Sequence, residues 1–465
     1  MSLGWIRRNA YSAVAVGLAG VLVSGPAWSQ SLQDALVQSY LTNPQLDAAR
    51  AELRAVDELA PQALSGWRPS ASANAGFERS ELDAESANAS SSGGRFQNGS
   101  VNTRSYSLDL EQPLYQGGRT VANTRRAEAL IRSQRANLRL TEQDVLLDAV
   151  TAYADVLADR ATVELAENNR ERLDRQLQAT RDRFQVGEVT RTDVSQAEAA
   201  LSNAVAEVVN AQGLTQTSEA TYLQVIGRPA GSLANPGPLR SLPATEDEAQ
   251  AMAEGFNPSI IAAEYALEAS NYDVDVALAA LKPTLSLSGQ LAYSDEPSLT
   301  IDRQRSASVG VNLTVPLYQG GAEYSEVREA KQTVGQRQND LDDAIRASRG
   351  EVTSAWEAVQ TATALIQSRR EAVRANEVAL EGVRQEALVG ARTVLDVLDA
   401  EQELFSSQVD LVDATRDQVI ATYRLKAAIG QLNVTDLALN VEPYDSEIYY
   451  QRNRNRWFGL GSSTQ

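Results

Sequence analysis

The chain has 465 residues, with 61 acidic residues against 42 Lys and Arg, and neither histidine nor cysteine. Imidazole acid–base chemistry, thiol nucleophiles, disulfides and zinc sites built from Cys and His are therefore excluded. A net charge of −19 repels phosphate backbones, so we expect no nucleic-acid partner. Aromatic residues make up only 6%, and long stretches rich in Ala, Gln, Glu, Arg and Leu are typical of extended helices.

The first 29 residues have the pattern of a secretory signal peptide. Arg7 and Arg8 precede an apolar run over 10–23, and the small-residue segment 27–29 offers a cleavage site after Ser29. A membrane anchor is the alternative, but a run of this length is too short to span a bilayer as a helix. We therefore expect an exported chain, which is periplasmic, secreted or an outer-membrane barrel.

The remainder of the sequence is an internal duplication. Asn43-Pro44 recurs 214 residues later as Asn257-Pro258, and the segment LYQGG at 114–118 recurs 203 residues later at 317–321. Further matches at the same offset of 203 continue as far as the Ile-Gly pairs at 226–227 and 429–430. Such self-similarity at a fixed offset indicates a repeat architecture. We predict one repeat over 30–243, a second over 244–440 and a C-terminal segment over 441–465.

Each repeat is predicted to contain a long helical hairpin, over 119–226 with its tip at Gly187 and over 322–429 with its tip at Gly390. The uninterrupted stretch from 119 gives a helix of roughly 100 Å. Apolar residues recur at every seventh position, which predicts paired coiled-coil helices. In the second repeat these residues are Ile345, Val352, Val359, Ile366, Val373, Leu380 and Ala387, with Leu398, Phe405, Val412 and Val419 on the returning helix.

Four segments alternate apolar and polar residues, as a membrane barrel with a wet interior requires. A half-buried soluble sheet shows the same alternation, but the export signal and the aromatic residues Trp67, Tyr115 and Tyr318 favour the barrel. Four strands cannot close a barrel, so we expect three copies to pool about twelve. The predicted strands cover about 69–81, 104–114, 283–294 and 306–316, with polar loops at 82–104 and 295–305.

The signal peptide, the duplication, the LYQGG turns and the tip motif VGxxTxxDV at 186–194 and 389–397 resemble the TolC family of outer-membrane channel-tunnels. The resemblance covers 31 to about 440. It implies a mainly α-helical homotrimer with a membrane β-barrel, an α-helical barrel and a collar at 227–257 and 431–465. It implies a channel for drug efflux or type I secretion without enzymatic activity or cofactor. The implied partners are outer-membrane lipid, a periplasmic adaptor and an inner-membrane transporter, ABC-type or proton-driven.

Asp396 and Asp399 stand three residues apart and share a helix face. Facing the axis of a trimer, they would form two carboxylate rings that attract cations and narrow a pore. The resemblance implies a pore constriction at these two positions. From the residues alone, a solvated acidic pair on a helix exterior is the alternative, and a glycosidase or metal dyad would need a partner motif that the sequence lacks.

Arg392 resembles the arginine of the family's tip latch, which implies a pairing with Thr192 and Asp193 of the other hairpin. The alternative is a bare surface arginine, whose ion pairs contribute about 0–1 kcal/mol each. Ala387 stands where the family pattern has a tyrosine. We therefore expect the hydrogen bonds that hold the tip closed to be fewer or differently arranged in this chain.

Glycines mark the remaining candidate positions. Gly187 and Gly390, beside Val186 and Val389, are expected to form the tips and to dock the adaptor, because a side chain would block close approach. A helix-ending glycine without a partner is the alternative. The turns from barrel to helix are assigned to Gly117, Gly118, Gly320 and Gly321.

Three classes of function follow from these patterns. A trimeric export channel in the outer membrane, extended into the periplasm by its helices, explains the duplication, the strands and the aspartates together. An outer-membrane coiled-coil stalk is the second class, but it would need neither the duplication nor the inward aspartates. An exported enzyme is the third, and the sequence lacks the histidine and cysteine that many catalytic sites use. These patterns do not distinguish small-molecule efflux from protein secretion.

Overall fold

The computed structural model describes most of the chain, namely residues 30–85, 96–239, 241–299 and 301–461. The predicted signal peptide over 1–29 lies outside these residues. Within the described ranges, no helix combines the length and apolar character that crossing a membrane would require.

The elements form two similar sets. The helices are α1 (Leu32–Thr42), α2 (Pro44–Asp57), α3 (Leu59–Leu64), α4 (Arg119–Gln185), α5 (Arg191–Ile226), α6 (Glu246–Phe256), α7 (Pro258–Ala279), α8 (Ala322–Leu388), α9 (Val394–Ala428) and α10 (Ile448–Asn453). The strands are β1 (Ser70–Glu85), β2 (Phe96–Gln116), β3 (Thr284–Ser298) and β4 (Ile301–Thr314). Each set therefore places a β-hairpin before a long helical hairpin.

The long helices are the dominant feature of the fold. Helices α4 and α8 both have 67 residues, which gives each a length of roughly 100 Å. Helix α4 packs against α5 and α9, and α9 packs against α8, so the four helices form one layer in the order α5–α4–α9–α8. Helix α7, which leads directly into β3, packs against both α4 and α8. The duplicated fold expected from the sequence is confirmed.

The four strands form one antiparallel sheet in sequence order. Leu108 lies opposite Ala73 and Leu291, and Leu291 lies opposite Ala307, so these side chains share one face. The leucines are about half exposed. The sheet therefore presents an apolar surface that the chain itself does not cover.

The opposite face of the sheet is polar and hydrogen-bonded. The carboxylate of Asp109 accepts hydrogen bonds from Asn74 Nδ2 at 3.0 Å, Ser107 Oγ at 2.8 Å and Gln290 Nε2 at 2.7 Å. Three strands contribute to this cluster. The alternation read from the sequence thus separates an apolar face from a polar one.

The strands extend further than the side-chain pattern indicates. Strand β1 pairs with β2 as far as Glu85 and Phe96, and β4 begins at Ile301. Backbone groups form the ladder whatever the polarity of the side chains, so polar composition does not mark the strand ends. The polar loops predicted at 82–104 and 295–305 are therefore wrong in extent.

A globular collar surrounds the middle of α4. The ring of Tyr153 is fully buried, and its hydroxyl lies 2.8 Å from the carbonyl of Gln30 and 2.6 Å from that of Ala234. The collar core joins the N-terminal helix, the ends of α5 and α9, and the segment after α9. Its largest members include Leu36, Leu46, Leu53, Leu146, Tyr222, Ile226 and Leu432.

The repeated Asn-Pro pairs attach the second helix of each repeat, α2 or α7, to the end of the returning helix of that repeat. Asn43 caps α2 and donates from Nδ2 to the carbonyl of Val225 at 3.2 Å. Asn257 caps α7 and donates to the carbonyl of Ala428 at 3.0 Å and to Ser348 Oγ at 3.1 Å. Each amide therefore serves one helix N-terminus and one helix C-terminus at once.

We expect Asn257→Ala to lower the free energy of unfolding by about 1–3 kcal/mol, because it leaves the buried carbonyl of Ala428 and the α7 N-terminus without partners. Thermal and denaturant unfolding of the detergent-solubilised protein measure this loss. Asn271→Ala, at an exposed position of the same helix, is the matched control and should change little. Equal effects of the two substitutions would contradict the docking role of Asn257.

Candidate functional site

The two hairpin tips have the same backbone geometry. Gly187 and Gly390 adopt left-handed φ angles of 81° and 76°, which favour glycine. A Cβ built on either would meet no atom of the described residues within 4 Å, so the backbone angle, rather than crowding, requires glycine. Val186 and Val389 are 73% and 80% exposed beside them. Each tip thus carries an uncovered apolar side chain.

Each returning helix begins with a capping box. Asp396 Oδ2 accepts from the backbone N–H and the hydroxyl of Thr393, both at 2.8 Å, and Thr393 Oγ1 accepts from the Asp396 N–H at 3.2 Å. Thr190 and Asp193 repeat this arrangement in the first hairpin. The Thr-x-x-Asp spacing within the tip motif is therefore also a helix-start signal. Asp193 and Asp396 therefore each stabilise the N-terminus of a helix.

The two candidate constriction carboxylates differ in their surroundings. The Thr393 N–H and hydroxyl, with Arg392 nearby, hold the pKa of Asp396 below its ordinary value of 3.8. Asp399 is exposed, and no hydrogen bond or ion pair engages its carboxylate within the described part of the chain. One carboxylate is thus fixed at the helix start, and the other projects into solvent one turn later.

Arg392 is paired within its own hairpin. Its Nε donates to Glu386 Oε2 at 2.9 Å, and its Nη1 lies 4.0 Å from Asp396 Oδ1. Within the described residues, no hydrogen bond or ion pair joins Arg392 to Thr192 or Asp193. The pairing across hairpins stays a prediction about neighbouring copies.

Ala387 lies on the buried face of α8, only 8% exposed. Its methyl group offers no hydrogen bond, so this position contributes packing alone.

The strand-to-helix turns use both glycines of each LYQGG segment. Gly117 and Gly118 have φ angles of 65° and 90°, and Gly320 and Gly321 have 79° and 90°. A Cβ on Gly117 would lie 2.5 Å from the carbonyl oxygen of Ala279. The first turn therefore needs glycine both for its backbone angle and for its contact with α7.

An ion triad built around a buried carboxylate joins the two hairpins on the tip side of the collar. The carboxylate of Glu401 on α9 is 2% exposed and accepts from Arg172 Nε of α4 at 2.8 Å. Its other oxygen accepts from Arg384 of α8. Arg172 is held in turn by Asn169, at 3.3 Å from Nη2 to Oδ1. The arginine side chains are 21% and 41% exposed, but removing either leaves the buried carboxylate with less opposite charge.

Sequence reasoning missed this triad because a glutamate followed directly by Gln402 and Glu403 resembles part of a solvated helix face. The available signal was its spacing. Glu401 follows Leu398 by three residues and precedes Leu404 and Phe405 by three and four, so it falls on the apolar stripe of α9.

The model of the outer membrane efflux protein family matches residues 35–228 and 251–431, one segment for each repeat. The chain belongs to this family. It is 36% identical over 450 residues to the outer membrane efflux protein BepC of Brucella suis biovar 1 (strain 1330), covering 96% of both chains. It is also 26% identical to the outer membrane protein TolC of Vibrio cholerae, over 89% of this chain and 94% of that protein.

Solved structures share the fold. The Campylobacter jejuni CmeC outer membrane channel superposes with a TM-score of 0.75 at 17% identity, covering 91% of this chain and 89% of that one. The Vibrio cholerae outer membrane protein VceC gives 0.73 at 20% identity, covering 86% and 96%. The chain is therefore an outer-membrane transport protein with the channel fold, which favours the export channel over the coiled-coil stalk.

We expect the cap formed by Asp396 to persist well into the acidic range. Because the folded-state pKa is depressed, its contribution to stability is present above the ordinary value of 3.8 and is lost only as the pH falls through the lower folded value. Unfolding temperatures of the wild type and Asp396→Ala at pH 7, 5 and 3 test this. The difference should hold from pH 7 to 5 and shrink at pH 3.

Asp399→Ala, one turn further along the helix, is the matched control and should show no comparable difference. A difference between wild type and Asp396→Ala that vanishes already at pH 5 would contradict the assignment of the cap.

Proposed function

We propose that three copies of the chain form an outer-membrane exit duct, which carries substrates from an inner-membrane transporter across the periplasm. The observation that carries this proposal is that the sheet and the helical layer each end in two uncovered edges. Strands β1 and β4 bound the sheet, and helices α5 and α8 bound the layer. Copies joined edge to edge complete both structures with one symmetry operation.

The surface of the edge strand supports a position in lipid. Val309, Val311 and Leu313 on β4 are 83%, 66% and 61% exposed, and they share one face because they alternate along the strand. A continuous apolar face is unfavourable in water and favourable against lipid tails. The polar cluster around Asp109 then faces the interior of a barrel.

The edges of the helical layer support assembly as well. Val205 and Val209 on α5 are 45% and 64% exposed, and Val378 on α8 is 70% exposed. In the proposed trimer, α5 of one copy packs against α8 of the next and removes these side chains from water. The long helices then surround a continuous passage beneath the barrel.

The tips are the proposed gate and docking surface. Asp396 and Asp399 of three copies form the acidic constriction, and Arg392 with Thr192 and Asp193 forms the latch between neighbouring hairpins. Val186 and Val389, beside Gly187 and Gly390, offer the uncovered apolar contacts on which a periplasmic adaptor docks. This assignment rests on the exposure of the valines and on the family to which the chain belongs.

The duct serves efflux, protein secretion or both, according to the transporter that it meets. Relatives at 28% and 26% identity carry the names alkaline protease secretion protein AprF and toluene efflux pump outer membrane protein TtgC. The same passage suits both tasks, because a lumen of helices selects by width and charge rather than through a pocket.

Conductance of the purified mature chain in a planar bilayer, with its oligomeric mass measured in the same detergent, tests the proposal. A trimer with a small, cation-selective resting conductance supports the duct and its acidic constriction. A monomer without conductance contradicts both.

We expect Asp396→Ala combined with Asp399→Ala to lower the cation selectivity of the resting pore, because the variant removes two carboxylates per copy from the constriction. The reversal potential in a salt gradient measures the change. Asp342→Ala with Asp343→Ala removes the same charge about 70 Å along the helix and serves as the control. An unchanged reversal potential in the tip variant would rule out the carboxylate rings.

A further inference from the structure

The buried stripe of α9 contains one charged side chain near the tip. Val394, Val397, Leu398, Leu404 and Phe405 are all at most 6% exposed, and Glu401 lies among them. A carboxylate at such a position is unfavourable unless partners satisfy it. Arg172 and Arg384 supply those partners, one to each oxygen.

The three members of the triad come from three helices and from both repeats. Arg172 belongs to α4 of the first hairpin, whereas Arg384 and Glu401 belong to α8 and α9 of the second. Glu401 therefore ties the second hairpin to the first and also ties the two helices of its own hairpin together. Asn169, only 1% exposed, orients the guanidinium of Arg172.

The ion triad also determines the direction in which the tip carboxylates face. Residues two apart on a helix are separated by about 200°, so Asp399 lies on the face of α9 opposite to Glu401. Asp396, five residues before Glu401, is about 140° away. Once the Glu401 carboxylate is held inside the layer, the first turns of α9 have one rotational setting, and Asp399 is directed out of the layer.

We propose that Glu401, held between Arg172 and Arg384, is the positioning residue of the tip carboxylates Asp396 and Asp399. It fixes the rotation of the first turns of α9 and keeps the two hairpins of one copy together. This inference rests on the proposed function, since it concerns the orientation of the acidic constriction. A substrate of the duct therefore meets carboxylates whose placement is set by the ion triad around the buried Glu401 carboxylate rather than by the tip loop alone.

Two substitutions separate positioning from a simple effect of charge. Glu401→Gln removes a negative charge and leaves two arginines without their carboxylate, whereas Arg172→Gln removes a positive charge and leaves Glu401 with Arg384. If the triad acted only through its charge, the two variants would shift the cation selectivity in opposite directions. If it positions α9, both lower the selectivity and both raise the resting conductance.

The experiment compares the full mature chain and its variants in planar bilayers and by amide hydrogen exchange of residues 394–404. We expect both variants to raise the resting conductance by roughly fivefold, because the resting arrangement of the tips loses one of the interactions that stabilise it over the open one. We also expect faster exchange in these residues. Arg172→Gln should lower the cation selectivity even though it removes a cation.

The matched control is Asp410→Asn. Asp410 and Arg369 link α9 to α8 at 2.7 Å, but their side chains are 45% and 44% exposed, so the substitution should leave conductance and exchange close to the wild type. This pair tests whether any ion pair between the two helices has the same effect.

Selectivity shifts of opposite sign in Glu401→Gln and Arg172→Gln, with unchanged exchange, would overturn the proposal in favour of a local charge effect. Faster exchange with unchanged conductance and selectivity would overturn it in favour of a purely structural triad. A wild-type chain that does not conduct would contradict the proposed function, whereas conducting variants identical to the wild type would contradict the triad alone. Arg172→Gln keeps one ion pair, so the test survives if Glu401→Gln does not fold.

Discussion

The narrow apolar seam of the long helices is the constraint on which the rest of the structure depends. A helix of 67 residues with one such seam cannot be buried on all sides, so α4 and α8 lie in a single layer with two wet faces. A layer of this kind encloses space rather than a core. The low aromatic content follows, because among the described residues the largest globular interior is confined to the collar around Tyr153.

The duplication also provides each hairpin with a contact that holds the end of its returning helix. In each repeat, the side-chain amide of the Asn-Pro asparagine donates a hydrogen bond to a carbonyl at the end of the returning helix, α5 or α9. The second copy is tighter, since a Cβ on Gly430 would lie 2.3 Å from the carbonyl oxygen of Phe256. The two copies therefore share a topology while their packing has diverged, and the collar fixes the register of both hairpins.

The sequence predicted those features that repeat along the chain, and it missed those that arise where distant segments meet. The seam positions Val352, Ile366 and Leu380 are buried as the heptads indicate, and the sheet separates its two faces as the alternation indicates. The strand ends were misplaced because ladder hydrogen bonds ignore side-chain polarity. The triad at Glu401 was missed because its partners are 229 and 17 residues away in sequence.

The tip shows why local and distant constraints must agree. Asp396 caps α9 through Thr393, a purely local arrangement that is repeated at Asp193 in the first hairpin. A cap sets where the helix begins but leaves its rotation against the neighbouring helices free. The buried carboxylate of Glu401 removes that freedom, because its two arginines come from helices on either side of α9 in the layer. The direction in which Asp399 faces therefore results from both constraints acting on the same two turns of helix.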